Sequence, residues 1–190
     1  MDTIKRIENW FDVATPNPTA KNFYLQTAYN LEEWSEVIEA IGGKESELFK
    51  TLLVAKSELI RDANNTSDEE TNEAFNECVN KTLLADGIAD SIVTLVGMAK
   101  MAGIDIFGAL KEVAQSNESK YYYAGVGDLS DHEWEDLNAI CKEIEAQGRY
   151  KGVGWQRHGE WIVFKDGNGK IMKNPRTYRE PELSGFIGGK

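Results

Sequence analysis

The stretch Leu84–Met98, "LADGIADSIVTLVGM", decides how the rest of the chain must be arranged. It sits inside Cys78–Asp105, a run too long and too continuous in apolar character for one strand, since strands usually hold three to ten residues. Between Leu83 and Met98 the only polar side chains are Asp86, Asp90, Ser91 and Thr94. The expectation is one helix, ended by Gly103. A helix that is apolar nearly all round belongs at the centre of a bundle or against an oligomer partner. Asp86 and Asp90 lie one turn apart among Leu83, Leu84, Ile88, Ile92 and Val93. An ionised Asp is almost never buried unless paired or bound to a metal, so this pair calls for a cation.

Helices flank this segment on both sides. Pro16 and Pro18 mark a loop, and Thr19 is the expected N-cap of a helix from about Ala20 to Ile41, stopped by Gly42 and Gly43. A second helix is expected over Glu45–Asp62, with Leu48, Leu52, Ala55 and Leu59 at spacings of three and four. The polar run "NNTSDEETN" reads as a solvated loop. Beyond Gly103 a helix is expected from Ile106 to about Lys120.

After Lys120 the pattern changes. "YYYAGVGDLSDHE" reads as a linker, and "DHEWEDLNAICKEIEAQ" as a short amphipathic helix with Trp134, Leu137, Ile140, Cys141 and Ile144 on one side. "YKGVGWQRHGEWIVFKDGNGKIMKNP" alternates apolar and polar residues around turns at His158-Gly159 and Asp166–Gly169, which predicts a β-hairpin or a three-stranded appendage. The tail "ELSGFIGGK" reads mostly as loop, and no internal repeat is evident.

Length and charge bound the function. At 190 residues, with 41% hydrophobic and 28% charged residues, the chain has room for one core with an appendage. Its net charge of −11 argues against a general nucleic-acid binder, which needs Lys and Arg to displace counterions from phosphates. The N-terminal "MDTIKRIENWFDVATP" has no apolar signal core and no run approaches 18 apolar residues, so a cytoplasmic protein is expected, one that binds no membrane. Cys78 and Cys141 fall in no CxxC or Cys/His cluster and read as ordinary core or surface residues.

A second acidic motif complements the aspartates. In Asn30–Ile41, "NLEEWSEVIEAI", Glu32 and Glu36 are four apart and Glu33 and Glu36 three apart, so their carboxylates stack on neighbouring turns, with Glu39 on the same face. Like charges at that spacing cost about 0.2–0.5 kcal/mol per pair. A solvated helix face explains such a pattern; so does a cation. If this helix packs antiparallel to the one carrying Asp86 and Asp90, the carboxylates converge on an oxygen-only site suited to Mg²⁺ or Mn²⁺. The two histidines, His132 and His158, lie outside both motifs and in no Glu-x-x-His, which disfavours di-iron and catalytic zinc. No Ser/His/Asp set and no Walker-type glycine loop is present.

These motifs resemble those of the MazG-like all-α nucleoside triphosphate pyrophosphohydrolases, a superfamily that includes dimeric dUTPases and phosphoribosyl-ATP pyrophosphohydrolases. The E-E-x-x-E motif is matched by Glu32, Glu33 and Glu36. The second motif, E-x-x-D, is matched at Asp90, while Gly87 takes the usual Glu position and Asp86 is the acid one residue earlier. The connector between the motifs is longer than usual. "SNESK" resembles the family's N-x-x-K through Asn117 and Lys120, and "KNPRTYREPEL" resembles the closing stretch of phage-encoded members. The likeness covers roughly 7–120 and 167–183, and not 121–164.

The resemblance implies an all-α fold, a four-helix core over residues 1–122 with a small α+β appendage over 123–190. It implies hydrolysis of a (deoxy)nucleoside triphosphate, purine and foremost dGTP, between the α- and β-phosphates. Two or three Mg²⁺ or Mn²⁺ ions would be held by Glu32, Glu33, Glu36, Asp86 and Asp90, with Glu32 or Glu33 activating water. Lys120 would neutralise the phosphates and Asn117 would bond sugar or phosphate. Trp10, Phe11, Phe23 and Tyr24 are the aromatic candidates for stacking the base, Phe11 among the site residues, although aromatics at such spacing also serve as core. A homodimer or homotetramer is implied, in line with the apolarity of Leu83–Met98. The alternative is an acidic helical module that binds a basic partner without turnover.

Overall fold

The computed structural model describes residues 2–188. These residues are mostly helical, with seven helices and a small three-stranded antiparallel sheet. The chain divides into two compact units, Asn17–Asp86 and the combination of Met1–Pro16 with Gly87–Lys190.

The unit Asn17–Asp86 is built on α2 (Ala20–Gly42), α3 (Glu47–Asn65) and α4 (Asp68–Cys78). Thr19 caps α2 as expected: its hydroxyl accepts from the Asn22 N–H and the Asn22 side chain accepts from the Thr19 N–H. The helix stops at Gly43, whose φ of 79° suits a residue without a Cβ. α2 and α3 pack as a hairpin, with Leu25, Ala28 and Ser35 of α2 and Ala63 of α3 buried. Phe23 and Tyr24 meet Phe75 of α4 edge to face, at centroid separations of 5.1 and 6.3 Å. Both rings therefore serve as packing contacts of this unit.

The expected loop "NNTSDEETN" is a correction, because all but residues 66–67 of it are helical. Ser67 and Glu70 form a capping box, and Asp68, Glu69 and Glu70 fill the first turn of α4, where negative charge is favoured by the helix dipole. The acidic composition that suggested solvated coil is the signal of a helix start.

The other unit contains α1 (Thr3–Ala14), α6 (Ile106–Glu118), β1 (Tyr122–Tyr123), α7 (Asp131–Ala146), β2 (Gly154–His158) and β3 (Trp161–Lys165). The strands lie in the order β1-β3-β2, with Tyr122 opposite Ile162 and Trp155 opposite Phe164. β1 comes from the segment read as a linker. One sheet face presents Ile162 and Phe164 to Leu137, Ile140 and Ile144 of α7, closed by Met172. On the other face Val163 packs with Ala14 and Tyr121. The period-2 alternation of the sequence thus serves two small cores.

The tail is ordered along α6. Ser116 Oγ donates to the Arg179 carbonyl at 2.7 Å, Thr177 Oγ1 donates to the Ser119 carbonyl at 2.8 Å, and Arg179 pairs with Glu112. Further on, the Asp105 N–H donates to the Phe186 carbonyl, and a Cβ at Gly108 would lie 2.5 Å from the Phe186 ring. Residues 177–187 form a strap along the helix.

The helix α5 (Lys81–Met101) begins after a break at Val79-Asn80, where the Asn80 side chain accepts from the Leu83 N–H. The boundary of the two units falls within it, between Asp86 and Gly87. Within the single chain Ala99 is its one buried residue, and Leu83, Ile92 and Val93 are more than half exposed, so of the two expected covers the chain's own helices are not the one seen. By length and composition alone this helix would suffice to cross a membrane.

Candidate functional site

A cavity of about 220 Å³ lies between α1 and α6. α1 contributes Arg6, Ile7, Trp10 and Phe11; α6 contributes Leu110, Val113, Ala114 and Asn117. The spacings explain the arrangement. Arg6 and Trp10, and Ile7 and Phe11, are four apart, and Leu110, Val113, Ala114 and Asn117 repeat at three and four, so each helix turns one continuous face inward.

Trp10 is the fixed element of this site. Its indole N–H donates to the Asn117 carbonyl at 3.0 Å, and its own carbonyl accepts from the Tyr121 hydroxyl at 2.8 Å. The Tyr121 ring stacks on it with 5.6 Å between centroids and 3° between planes, while Phe11 meets it edge-on at 4.9 Å. Burial pushes the Tyr121 phenol well above its ordinary range, so it stays a neutral donor. The Lys120 ammonium stands 5.7 Å from the centroid of the Trp10 ring, within cation–π range.

Arg6 closes one side. Its Nε and Nη2 donate to the two carboxylate oxygens of Glu118 at 2.7 and 2.6 Å, a bidentate fork that raises the guanidinium pKa further through that hydrogen bond. Trp10 and Phe11 give this cavity aromatic walls and Asn117 an amide, while the charge of Arg6 is met by Glu118.

Three residues named from the sequence, Phe11, Asn117 and Lys120, thus gather around Trp10. Arg6 was missed. The signal for it was present in the helical spacing of α1, with Ile4, Ile7, Phe11 and Ala14 on one face.

The acidic residues have a different setting. On α2, Glu32 forms an ion pair with Lys56 of α3 at 2.9 Å, both side chains about four-fifths buried, at 18% and 20% exposure. This is the compensation that the stacked glutamates required, and it comes from the helix that lengthens the connector. Glu39 pairs with Lys44 at 3.3 Å. Glu33 and Glu36 are exposed on α2, and Asp86 and Asp90 are exposed on α5. Among the described residues no group of three or more His, Cys, Asp or Glu stands together as a metal site.

Elsewhere, Cys78 is exposed and Cys141 is a buried member of the α7 core whose thiol burial pushes upward in pKa. No family model, no curated protein and no solved structure matches the chain.

Proposed function

We propose that the chain is a nucleoside triphosphate pyrophosphohydrolase, cleaving a (deoxy)nucleoside triphosphate, dGTP foremost, into the monophosphate and pyrophosphate. The observation that supports it is that Phe11 and Asn117 line one cavity with Trp10, and that the Lys120 ammonium stands 5.7 Å from the Trp10 ring. Asn117 and Lys120 were expected at the nucleotide from the N-x-x-K likeness, and Phe11 from its aromatic ring near the N-terminus.

On this reading Trp10 and Phe11 take the base by stacking and edge contact. The Asn117 side chain hydrogen-bonds sugar or phosphate, and Lys120 places an ammonium beside the phosphate chain. Arg6, already paired with Glu118, shapes the wall more than it adds charge. The tail strap supports α6 from behind, so that residues 177–187 of the appendage contribute to the helical part, 1–122, that carries the activity. The metal requirement rests on the resemblance: Glu33, Glu36, Asp86 and Asp90, with Glu32 as an outer member, would hold Mg²⁺ or Mn²⁺, which supplies Lewis-acid charge and a water nucleophile when bound. The host cytoplasm, if the protein is phage-encoded, is the setting that suits trimming of a nucleotide pool.

The test is incubation of each common dNTP and NTP with the full chain and Mg²⁺ or Mn²⁺, with products separated. Monophosphate plus pyrophosphate is expected, with Lys120→Met lowering kcat/KM on the order of 100-fold, the usual loss for one transition-state donor. Diphosphate plus phosphate, or no turnover of any nucleotide, contradicts the reading. The exposed row of Glu33 and Glu36 favours the second reading, an acidic face for a basic partner. Under it, Glu36→Gln and Asp90→Asn abolish no activity; under the first they abolish pyrophosphate release.

A further inference from the structure

We propose that the small sheet β1-β3-β2 binds single-stranded nucleic acid, with phosphates at the loops 148–153 and 166–170 and bases at Trp161 and Tyr123. The proposal is independent of the hydrolase reading. It starts from an uneven distribution of charge. Residues 149–173 carry six cations, Arg149, Lys151, Arg157, Lys165, Lys170 and Lys173, against two carboxylates, Glu160 and Asp166, in a chain whose total is −11. The acidity of the chain lies elsewhere.

Two of the six cations are engaged locally. Arg157 donates to the carbonyls of Gly125, Gly127 and Gly159, and the Lys173 ammonium stands 4.3 Å from the Tyr178 ring. The other four belong to two loops that are fastened together at one end of the sheet. The Gly167 N–H donates to the Lys151 carbonyl at 3.1 Å, and the Asp166 N–H to the Lys170 carbonyl at 3.0 Å. Gly152, at φ 64°, makes the close approach to Gly167 possible. The Asp166 carboxylate is taken up by its own turn, where one oxygen accepts from the Asn168 and Lys170 N–H groups at 2.9 Å each.

One sheet face joins these cations to aromatic rings. Trp161, Val163 and Lys165 alternate onto the same side of β3, and their neighbours across the strands add Tyr123, His158 and Gln156. Ring contact between Tyr123 and Trp161 at 5.0 Å, and the bond from Lys165 Nζ to Gln156 Oε1 at 3.4 Å, mark the two ends of the row. The middle is covered at Val163, but Tyr123 and Trp161 are 58% and 37% exposed, and Gln156 is exposed on the edge strand. No carboxylate belongs to the row, and among the described residues none pairs with Lys165. Burial lowers the Lys165 pKa, and burial followed by the Lys165 charge lowers that of His158, as expected of positive groups without a counter-charge.

That juxtaposition selects the occupant. Cations at one end and open rings at the other, about 13 Å apart at the rise of a strand, suit a few nucleotides of a chain with charged phosphates and flat bases. A duplex keeps its bases stacked inside, and an acidic peptide would meet the cations while leaving the rings without a stacking partner.

The experiment is fluorescence anisotropy of a labelled short oligo(dT) with the full chain, in EDTA and at roughly 50 mM salt. Saturable binding is expected, with log K falling against log salt at a slope of about −0.7 for each phosphate met. Tyr123→Leu and Trp161→Leu should each weaken binding about tenfold and leave the slope unchanged, the loss of one stacked base. Lys151→Ala combined with Lys165→Gln should reduce the slope by about 1.4. Lys142→Ala, on the outside of α7, should change neither, and near-UV circular dichroism checks that each variant folds. Absence of saturable binding overturns the proposal. So does binding that both ring variants retain in full, which would be charge alone, and so does equal or tighter binding of a duplex, of poly-glutamate or of phosphatidylserine vesicles.

Discussion

α6 and α5 are both helices with continuous apolar faces, and they meet opposite fates. α6, of 13 residues, is covered twice, by α1 on the cavity side and by the tail strap on the other, with Ala114 and Ser116 at 5% and 2% exposure. α5, of 21 residues and more apolar, is nearly bare. The difference lies in what each helix offers its neighbours. α6 carries Glu112, Ser116 and the Ser119 that follows it, polar handles by which Arg179 and Thr177 fasten the tail. α5 carries none on its stripe. Apolar area says that a helix must be covered; the polar groups beside it say by what.

One substitution placed on both helices tests this contrast with the largest effect. Ala114→Asp would bury an unpaired charge beside the cavity and should cost about 3–5 kcal/mol of unfolding free energy. Ala89→Asp on exposed α5 should cost under about 1 kcal/mol, near the helix-propensity difference alone. Urea denaturation of the two variants compares them directly. Equal costs would mean that α5 is covered as α6 is.

The strap comes next in size. Ser116→Ala removes the hydrogen bond to the Arg179 carbonyl and leaves a sheltered acceptor without its partner, an expected loss of about 1 kcal/mol. Hydrogen exchange of α6 amides should rise with it, and no change in α5 exchange should accompany it.

The smallest effects lie at the pH extremes. Arg179 holds the Glu112 carboxyl below its ordinary pKa, chiefly by its hydrogen bond. That stabilisation is present above the unfolded Glu value of about 4.3 and is lost as pH falls through the lower folded value. Tyr121 behaves in the opposite sense. Burial raises its pKa, so the stability it contributes is complete below the unfolded Tyr value of about 10 and declines as pH rises beyond it. Melting curves of Glu112→Gln should lose its share of the acid-side dependence, which Glu70, Glu133, Glu143 and Glu182 also carry, and those of Tyr121→Phe its share of the alkaline one.

Much of this molecule was legible in the residues. The Thr19 cap, the end of α2 at the glycines, the hairpin about His158-Gly159 and the α7 stripe all follow from local chemistry, which acts within a few residues. α4 was hidden because its capping box sits in an acidic run that resembles coil. The strap was hidden for another reason: its hydrogen bonds join residues about sixty apart, and no local periodicity announces them. Of the candidate site, Asn117 and Lys120 came from motif and Phe11 from composition, whereas the pairing of Glu32 with Lys56 required knowing how α2 and α3 align. What covers α5 was not legible, because the cover a helix needs is not written on the helix itself.

The central claim is that the α1–α6 cavity receives a nucleotide, and Trp10 reports on it. The chain has five tryptophans, so the indole ¹H–¹⁵N spectrum resolves the site from its surroundings. Titration with a non-hydrolysable α,β-methylene dGTP and Mg²⁺ should shift the Trp10 indole resonance in a saturable way and leave those of Trp134 and Trp155 in place. A Trp10 signal unmoved at millimolar nucleotide, or a shift confined to Trp134 and Trp155, would contradict the account.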